Sequence, residues 1–430
     1  MLSTQPQAPA PARRLHPRPS AIASALAIVG VAPLSQAAFI EDSTATFETR
    51  NMYFNRDFHN EPSTTQSKRE EWAQGFMLNL ESGYTEGTVG FGVDALGMLG
   101  VKLDSGKGRT GTGLLPTHDD GHAADEYAKL GLTAKVKVSA TELKVGTLIP
   151  ETPTLQPNDG RILPQTFEGG LLTSKEIKGL TFTGGRLDKV IDRASTNSEE
   201  LILNSKNRRF AGGITADHLD LAGLDYQFNQ NLKGRYFHAE LDDIYRQNFF
   251  NLLASYPMGG GTLAADLRLM LSDDSGAANA GKIDNRALGG MLSYAHSGHK
   301  LSLGYQKMSG DTGYAYIDGS DPYLVNFVQI NDFANPDEKS WQARYDYNFA
   351  SLGLPGLSVL ARYIRGDDAT VIGSDKSGGE WERDLELKYV VQSGPLKDVY
   401  VRLRNASFHS DFARDADENR VIVGYTLPIW

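Results

Sequence analysis

Leu130-Gly131-Leu132-Thr133-Ala134-Lys135-Val136-Lys137-Val138 is the stretch on which the fold turns. Leu130, Leu132, Ala134, Val136 and Val138 take every second position, while Thr133, Lys135, Lys137 and the following Ser139 share the other parity. Successive side chains of a strand point to opposite faces, so this run reads as a β-strand with one apolar and one polar side. The same split separates Trp341, Ala343, Tyr345, Tyr347 and Phe349 from Gln342, Arg344, Asp346 and Asn348. It returns in Val399, Val401 and Leu403 against Tyr400, Arg402 and Arg404. Alternation alone leaves open which side of the sheet is the outside.

Working outward, segments of this kind recur near 44–55, 70–83, 87–103, 126–140, 142–149, 179–191, 207–217, 220–229, 232–241, 246–256, 261–272, 285–297, 299–310, 339–349, 356–367, 380–392, 397–409 and 419–430. Eighteen is an even number, and segments of ~10 residues alternating apolar and polar are the signature of a transmembrane antiparallel β-barrel. The connections also alternate. Those at 84–86, 139–141, 229–231, 297–298 and 392–396 are short, and those at 104–125, 150–178, 273–284, 311–338 and 368–379 are long. Short turns on one rim and long loops on the other fit a barrel inserted from the periplasm. One connection departs from the pattern: Asp192 to Lys206 should be a short turn by parity, yet it is long and polar. Tyr and Phe gather near strand ends, as in Phe47, Tyr53 and Phe54, Tyr236 and Phe237, and Phe249 and Phe250. Rings with a polar edge collect at the headgroup level of a membrane.

The 430 residues contain no Cys, which excludes disulfides, a thiolate nucleophile and Cys-based zinc sites. With 43 Lys+Arg against 53 Asp+Glu the formal charge is −10, and a basic nucleic-acid surface is not expected. At the start, Arg13, Arg14 and Arg18 precede an apolar run from Ala21 to Val31, and Ser35-Gln36-Ala37 offers small residues for a signal peptidase. Residues 1–37 are therefore read as a cleaved signal peptide and 38–430 as the barrel domain, beginning at Ala38. The leader holds three Arg and no acid, so the mature chain carries 40 basic and 53 acidic residues, a net −13. No later run is long and apolar enough for a membrane-spanning helix. The expected location is the outer membrane of a Gram-negative bacterium.

Several stretches resemble the OprD family of substrate-specific outer-membrane porins. The most extensive is VGTLIPETPTLQPNDGRILPQTFEGGLLTSKEIKGLTFTGG, from Val145 to Gly185. The others are Phe39 to Ser43 leading into Arg50 to Phe58, Trp381 to Pro395, and Val401 to Ala406. The resemblance implies an eighteen-stranded barrel whose third loop, and often the seventh, folds inward. It also implies passive passage of small carboxylates along a row of basic residues. The last strand departs from the family's assembly signal: Val421, Val423, Tyr425, Leu427 and Ile429 lie on the parity opposite to Trp430.

Strand parity places Arg344, Arg362, Lys388, Arg402 and Arg404 on inner faces, with Arg50 beside Thr46 and Glu48. Arginine suits a carboxylate path because its planar fork stays charged. The competing reading for each is an internal ion pair with a neighbour such as Asp346 or Glu386. Pro150 to Phe167 contains four prolines and is long for a connection, which makes Asn158, Asp159 and Arg161 candidates for the opposing wall. In the 311–338 loop the resemblance carries over Tyr316, Asp318 and Asp321 as acid and hydroxyl groups facing a substrate amine. His118-Asp119-Asp120-Gly121-His122 reads as a solvated acidic loop, and neither a metal nor a cofactor is expected. The expected partners are small carboxylate solutes, outer-membrane lipid and lipopolysaccharide, with the protein a monomer or loose homotrimer. Two alternatives are kept, an unselective diffusion porin and an outer-membrane hydrolase, although no Gly-x-Ser-x-Gly or His-Glu-x-x-His supports the latter.

Overall fold

The computed structural model describes residues 36–60 and 65–430, so positions 1–35 of the leader read from the sequence lie outside the described residues. Among these residues the strands are β1 (Thr44–His59), β2 (Lys68–Glu81), β3 (Val89–Asp104), β4 (Glu126–Val138), β5 (Thr141–Leu148), β6 (Thr166–Ser174), β7 (Leu180–Ile191), β8 (Leu201–Ile202), β9 (Thr215–Ala216), β10 (Leu219–Asn229), β11 (Leu232–Leu241), β12 (Tyr245–Met258), β13 (Gly261–Asp274), β14 (Asp284–His296), β15 (His299–Ser309), β16 (Lys339–Asn348), β17 (Leu357–Thr370), β18 (Ser377–Val390), β19 (Tyr400–Ser410) and β20 (Asp415–Pro428). β8 and β9 pair only with each other; the other eighteen form one antiparallel sheet in which β7 pairs with β10 and β20 returns to β1. The sheet is closed.

Exposure settles which face is the outside. Leu130, Leu132, Leu301 and Leu303 are 74, 58, 61 and 66% exposed, whereas Lys129, Lys135 and Ser302 between them are 7, 5 and 3% exposed. A water-soluble protein would reverse this order. The apolar parity faces lipid and the polar parity faces the lumen.

Eighteen strands form the barrel, but one expected strand is absent and one that was not expected takes its place. Thr166–Ser174 is a barrel strand, paired with β5 and β7, where the sequence suggests loop. Gly169 and Gly170 interrupt its alternation, and the register slips between Glu168 and Gly169. The expected strand at 207–217 is instead part of a loop, contributing only the two residues of β9. These corrections remove the parity conflict at Asp192: the short turn is 175–179, and 192–218 is a long loop. The aromatics also divide. Tyr236 and Phe250 are exposed to lipid, while Phe54, Phe237 and Phe249 are 1–2% exposed and pack under the inward loops. Beyond Pro428 the chain still pairs with β1, through Ile429 N to Ala45 O at 2.8 Å and Ala45 N to Trp430 O at 3.2 Å.

The strands are inclined. Register partners followed from His299, beside a short turn, run through Tyr347, Val359, Leu387, Leu403, Val421 and Tyr53 to Trp72, near the long-loop end of β2. A line of constant height therefore descends toward the short turns by about one residue per strand from β14 onward, as a barrel with strands tilted ~35–45° requires.

Candidate functional site

Three loops fill the lumen from the long-loop side: L3 (149–165), L4 (192–218) and L7 (310–338). L3 and L7 are fixed by polar groups that strand alternation points inward. Arg50, on β1, holds the tip of L3: its Nη1 donates to Asp159 Oδ1 at 2.7 Å and to the Arg161 carbonyl at 2.6 Å, and its Nη2 reaches Asp159 Oδ2 at 3.1 Å. The Asn158 side chain closes the turn by accepting from Gly160 N at 2.8 Å. L7 is seated by Glu382 of β18, whose two carboxylate oxygens accept the backbone N–H groups of Ile330 and Asn331, each at 2.9 Å. Beneath L3, toward the short turns, lies a vestibule of about 750 Å³ lined by Glu48, Arg50, Asp94, Glu142 and Asp159 among others.

L4 and L7 are fastened to each other. Leu203 pairs with Ile317, and the buried Arg209 meets the buried Asp332 in an ion pair that also receives the Tyr316 hydroxyl at 2.9 Å. Burial by itself would raise the Asp332 carboxyl, but Arg209 and Lys206 hold it below the ordinary carboxylate range. Tyr316 is 7% exposed with its hydroxyl committed to Asp332, so it is a fastening group and not the lumen-facing hydroxyl expected from the sequence. Asp318 is exposed, but its Oδ1 accepts from Asn204 Nδ2 at 2.6 Å.

The lumen wall formed by β16 to β20, on which L7 is seated, is basic. In register across β16 to β20, Arg344 faces Arg362, Lys388 faces Arg402, and Arg404 lies between Glu386 and Arg420. Their acidic partners among the described residues are Asp346, Asp384, Glu386 and Glu418, while Glu382 on the same face of β18 is taken up by the backbone N–H groups of Ile330 and Asn331. The pairing is uneven. Arg344 forks onto Asp346 at 2.8 and 2.6 Å, and Arg362 Nε donates to Asp384 at 2.8 Å. Arg402 and Arg404 share the single carboxylate of Glu386, at 3.4 and 3.2 Å, and neither Nε closes an aligned hydrogen bond. Lys388 has no carboxylate within ion-pair distance among the described residues, and its Nζ lies 5.4 Å from the centroid of the Tyr400 ring. The ion-pair reading thus describes Arg344, Arg362 and Arg50, and leaves Arg402, Arg404 and Lys388 as the loosely held charges.

Arg420 escaped the sequence reading although alternation reveals it. Val421 and Val423 face lipid, which puts Arg420 and Glu418 on the lumen side. Arg420 pairs with Glu418, donates to the Gln329 carbonyl of L7 at 3.2 Å and lies 5.3 Å from the Phe54 ring centroid. Arg161 reaches the same ring from L3 at 4.9 Å and donates to the Thr112 carbonyl at 2.6 Å. Burial and the nearby Arg420 and Arg193 guanidiniums depress its pKa well below the usual arginine value. Positive charge is crowded where the loops meet this wall. Among the described residues, no group of three or more His, Asp or Glu side chains is arranged to hold a metal ion.

The chain's residues 37–429 match the model of a family described as outer membrane porin, OprD family. It is 40% identical over 396 residues to the Porin-like protein GalP of Pseudomonas putida, covering 91% of this chain and 93% of that one. Among solved structures, it resembles Pseudomonas aeruginosa OccK9 (OpdG) at 49% identity and a TM-score of 0.88, covering 91% of this chain and all of the other. P. aeruginosa OpdK, solved with vanillate, matches at 44% identity and a TM-score of 0.85, with the same coverage. These relatives are channels and not enzymes, which answers the hydrolase alternative.

Proposed function

Since the chain belongs to the OprD family of outer-membrane porins, substrate-specific channels through which small solutes diffuse, we propose that its solutes carry a carboxylate and that Arg402 and Arg404 draw them through. One observation carries this reading: two guanidiniums share one Glu386, so positive charge is left over on the lumen wall. A passing carboxylate offers each of them the aligned hydrogen bonds that Glu386 does not. Arg402 and Arg404 are alternate residues of β19, ~6.6 Å apart, with Lys388 beside the former. Neighbouring weak sites favour passage over trapping, because an anion is handed on before it is fully released. OpdK's structure with vanillate, a carboxylate, concerns that protein and lends the reading support. In this scheme Arg344 and Arg362 brace the wall, while Asn158, Asp159 and Asp318 shape its opposite side. Residues 1–37 act as the export leader.

The reading is tested with purified protein in liposomes and size-matched pairs such as benzoate and benzamide. The carboxylate is expected to enter several-fold faster, and the advantage should shrink as salt screens the wall. Equal entry of acid and amide at all salt concentrations would replace this reading with unselective diffusion.

A further inference from the structure

The outer surface of the barrel carries a second basic feature, distinct from the lumen. Arg286 on β14, Lys307 on β15, Lys339 on β16, Arg365 on β17 and Arg383 on β18 all stand on the lipid-facing parity, toward the long-loop end. That parity also carries Leu288, Tyr305, Trp341 and Leu385, which are 44–51% exposed. Lys307 faces Lys339. Arg286 lies one rung above the residue paired with Lys307; Arg365 lies one rung below the partner of Lys339; and Arg383, facing Tyr363, is one rung lower again. Because a level line descends in that same direction, these steps bring the five cations to one height on the inclined strands, in a band about 20 Å long.

Acids answer only part of this charge. Lys339 pairs with Asp368 at 2.9 Å and Arg365 forks onto Asp367, while Asp284, two positions from Arg286, lies 3.9 Å from Lys282. Arg286, Lys307 and Arg383 have no carboxylate within ion-pair distance among the described residues. Arg383 is the most telling. It stands one rung below Trp381, on the face that Leu385 and Leu387 continue, and its Nη2 finds only the neutral Asn405 at 2.7 Å and Ser407 at 2.9 Å. An unpaired guanidinium on the lipid face is costly unless an anion meets it there. Trp341, Tyr363, Trp381 and His409 form a row of neighbouring rings beside it, with centroids 4.5–5.9 Å apart, at the level where headgroups begin.

We propose that this band binds the phosphorylated headgroup of an acylated glycolipid of the outer leaflet, with the acyl chains lying on the leucine surface beneath. Phosphate supplies several charge-assisted acceptors to guanidinium and ammonium groups, and only a lipid brings that phosphate to the hydrocarbon edge. A second copy of the chain fits poorly, since a two-fold contact across this band sets cation against cation.

Delipidated protein in detergent, titrated with bis-phosphorylated lipid A and followed by native mass spectrometry, tests this. The full chain is expected to retain the lipid, and the combined Arg286→Gln, Lys307→Gln and Arg383→Gln variant to bind it about tenfold more weakly or worse. Dephosphorylated lipid A should bind the unaltered protein as weakly. Because the triple variant alters the barrel's insertion surface, Arg383→Lys serves as a second probe, expected to keep most of the binding in a fully folded barrel. Undiminished binding by the folded triple variant, equal binding of dephosphorylated lipid, displacement by inorganic phosphate at equal concentration, or lipid-independent dimers through this face would each overturn the proposal.

Discussion

Replacing Arg402 and Arg404 together by Ala is expected to cut carboxylate flux by about a hundredfold at low solute concentration, while a matched neutral amide passes at its former rate. Each guanidinium offers a charge-assisted contact worth about 1.5–3 kcal/mol, and 1.4 kcal/mol corresponds to about tenfold in affinity. The double loss exceeds the sum of the two single ones, because Glu386 stays behind. In the intact wall two cations face that one carboxylate; in the double variant both of those partners are gone, with Lys388 two positions along β18 and Arg420 one strand beyond Arg404 as the cations that stay. The local sign is weakened or reversed, and an anion meets repulsion where it met attraction. Each single variant leaves one guanidinium on Glu386 and a nearly neutral rung, so its effect should be smaller than half of the double on a logarithmic scale. Glu386→Gln separates charge from packing, since it keeps both arginines and frees them, and carboxylate flux should rise or hold. Tracer uptake into liposomes with each variant measures all of this. A double variant that admits carboxylates at the original rate would remove both residues from the path.

That Arg402 and Arg404 were legible at all follows from the simplicity of a barrel. Strand parity is a binary code, and once Val401 and Leu403 are assigned to lipid, their neighbours face water. Glu418 and Arg420 obey the same code and were missed only because a strand taken to start at 419 leaves Glu418 outside and gives Arg420 no inward neighbour on its N-terminal side. Parity fails where glycine breaks it. Thr166–Ser174 has Gly169 and Gly170 at the register slip and Leu171 beside Leu172, so neither face is consistently apolar, and its partners are fixed by β5 and β7 across the sheet. The opposite error at 207–217 has the opposite cause. Phe210, Ile214 and Ala216 are apolar because L4 packs beneath L7, a burial that imitates a lipid-facing strand in composition. Loop groups were the least legible. Nothing in the residues around Tyr316 announces Arg209, which lies more than a hundred positions earlier and reaches Asp332 only once both loops have folded into the lumen. The sequence carries the wall in local alternation, while the constriction depends on long-range contacts that alternation does not encode.

Arg50→Ala is expected to widen the channel, raising its conductance and abolishing its preference for carboxylates, because Arg50 acts chiefly as the latch of L3. Parity alone makes Arg50 a rung of the basic wall, and a rung would behave differently: its loss would lower carboxylate flux with the pore size unchanged. The geometry distinguishes the two. Arg50 is 8% exposed, forks onto Glu48 and Asp159, and donates to the Arg161 carbonyl, so its donors are occupied by the loop and not offered to a solute. Removing it releases the tip of L3 from contacts to a charged group, each worth about 1.5–3 kcal/mol, and leaves Glu48 and Asp159 facing each other without the cation between them. A loss of about 3 kcal/mol shifts the balance of seated and released L3 by about a hundredfold. With L3 away from the wall, solutes no longer pass within reach of Arg402 and Arg404, so discrimination falls although both residues remain. Arg50→Lys should give an intermediate channel, since one ammonium cannot bridge a carboxylate and a carbonyl as the fork does. Single-channel recording in salt, alongside uptake of an acid and its amide, reads both quantities. Lower conductance with selectivity preserved would assign Arg50 to the path and leave L3 held by other contacts.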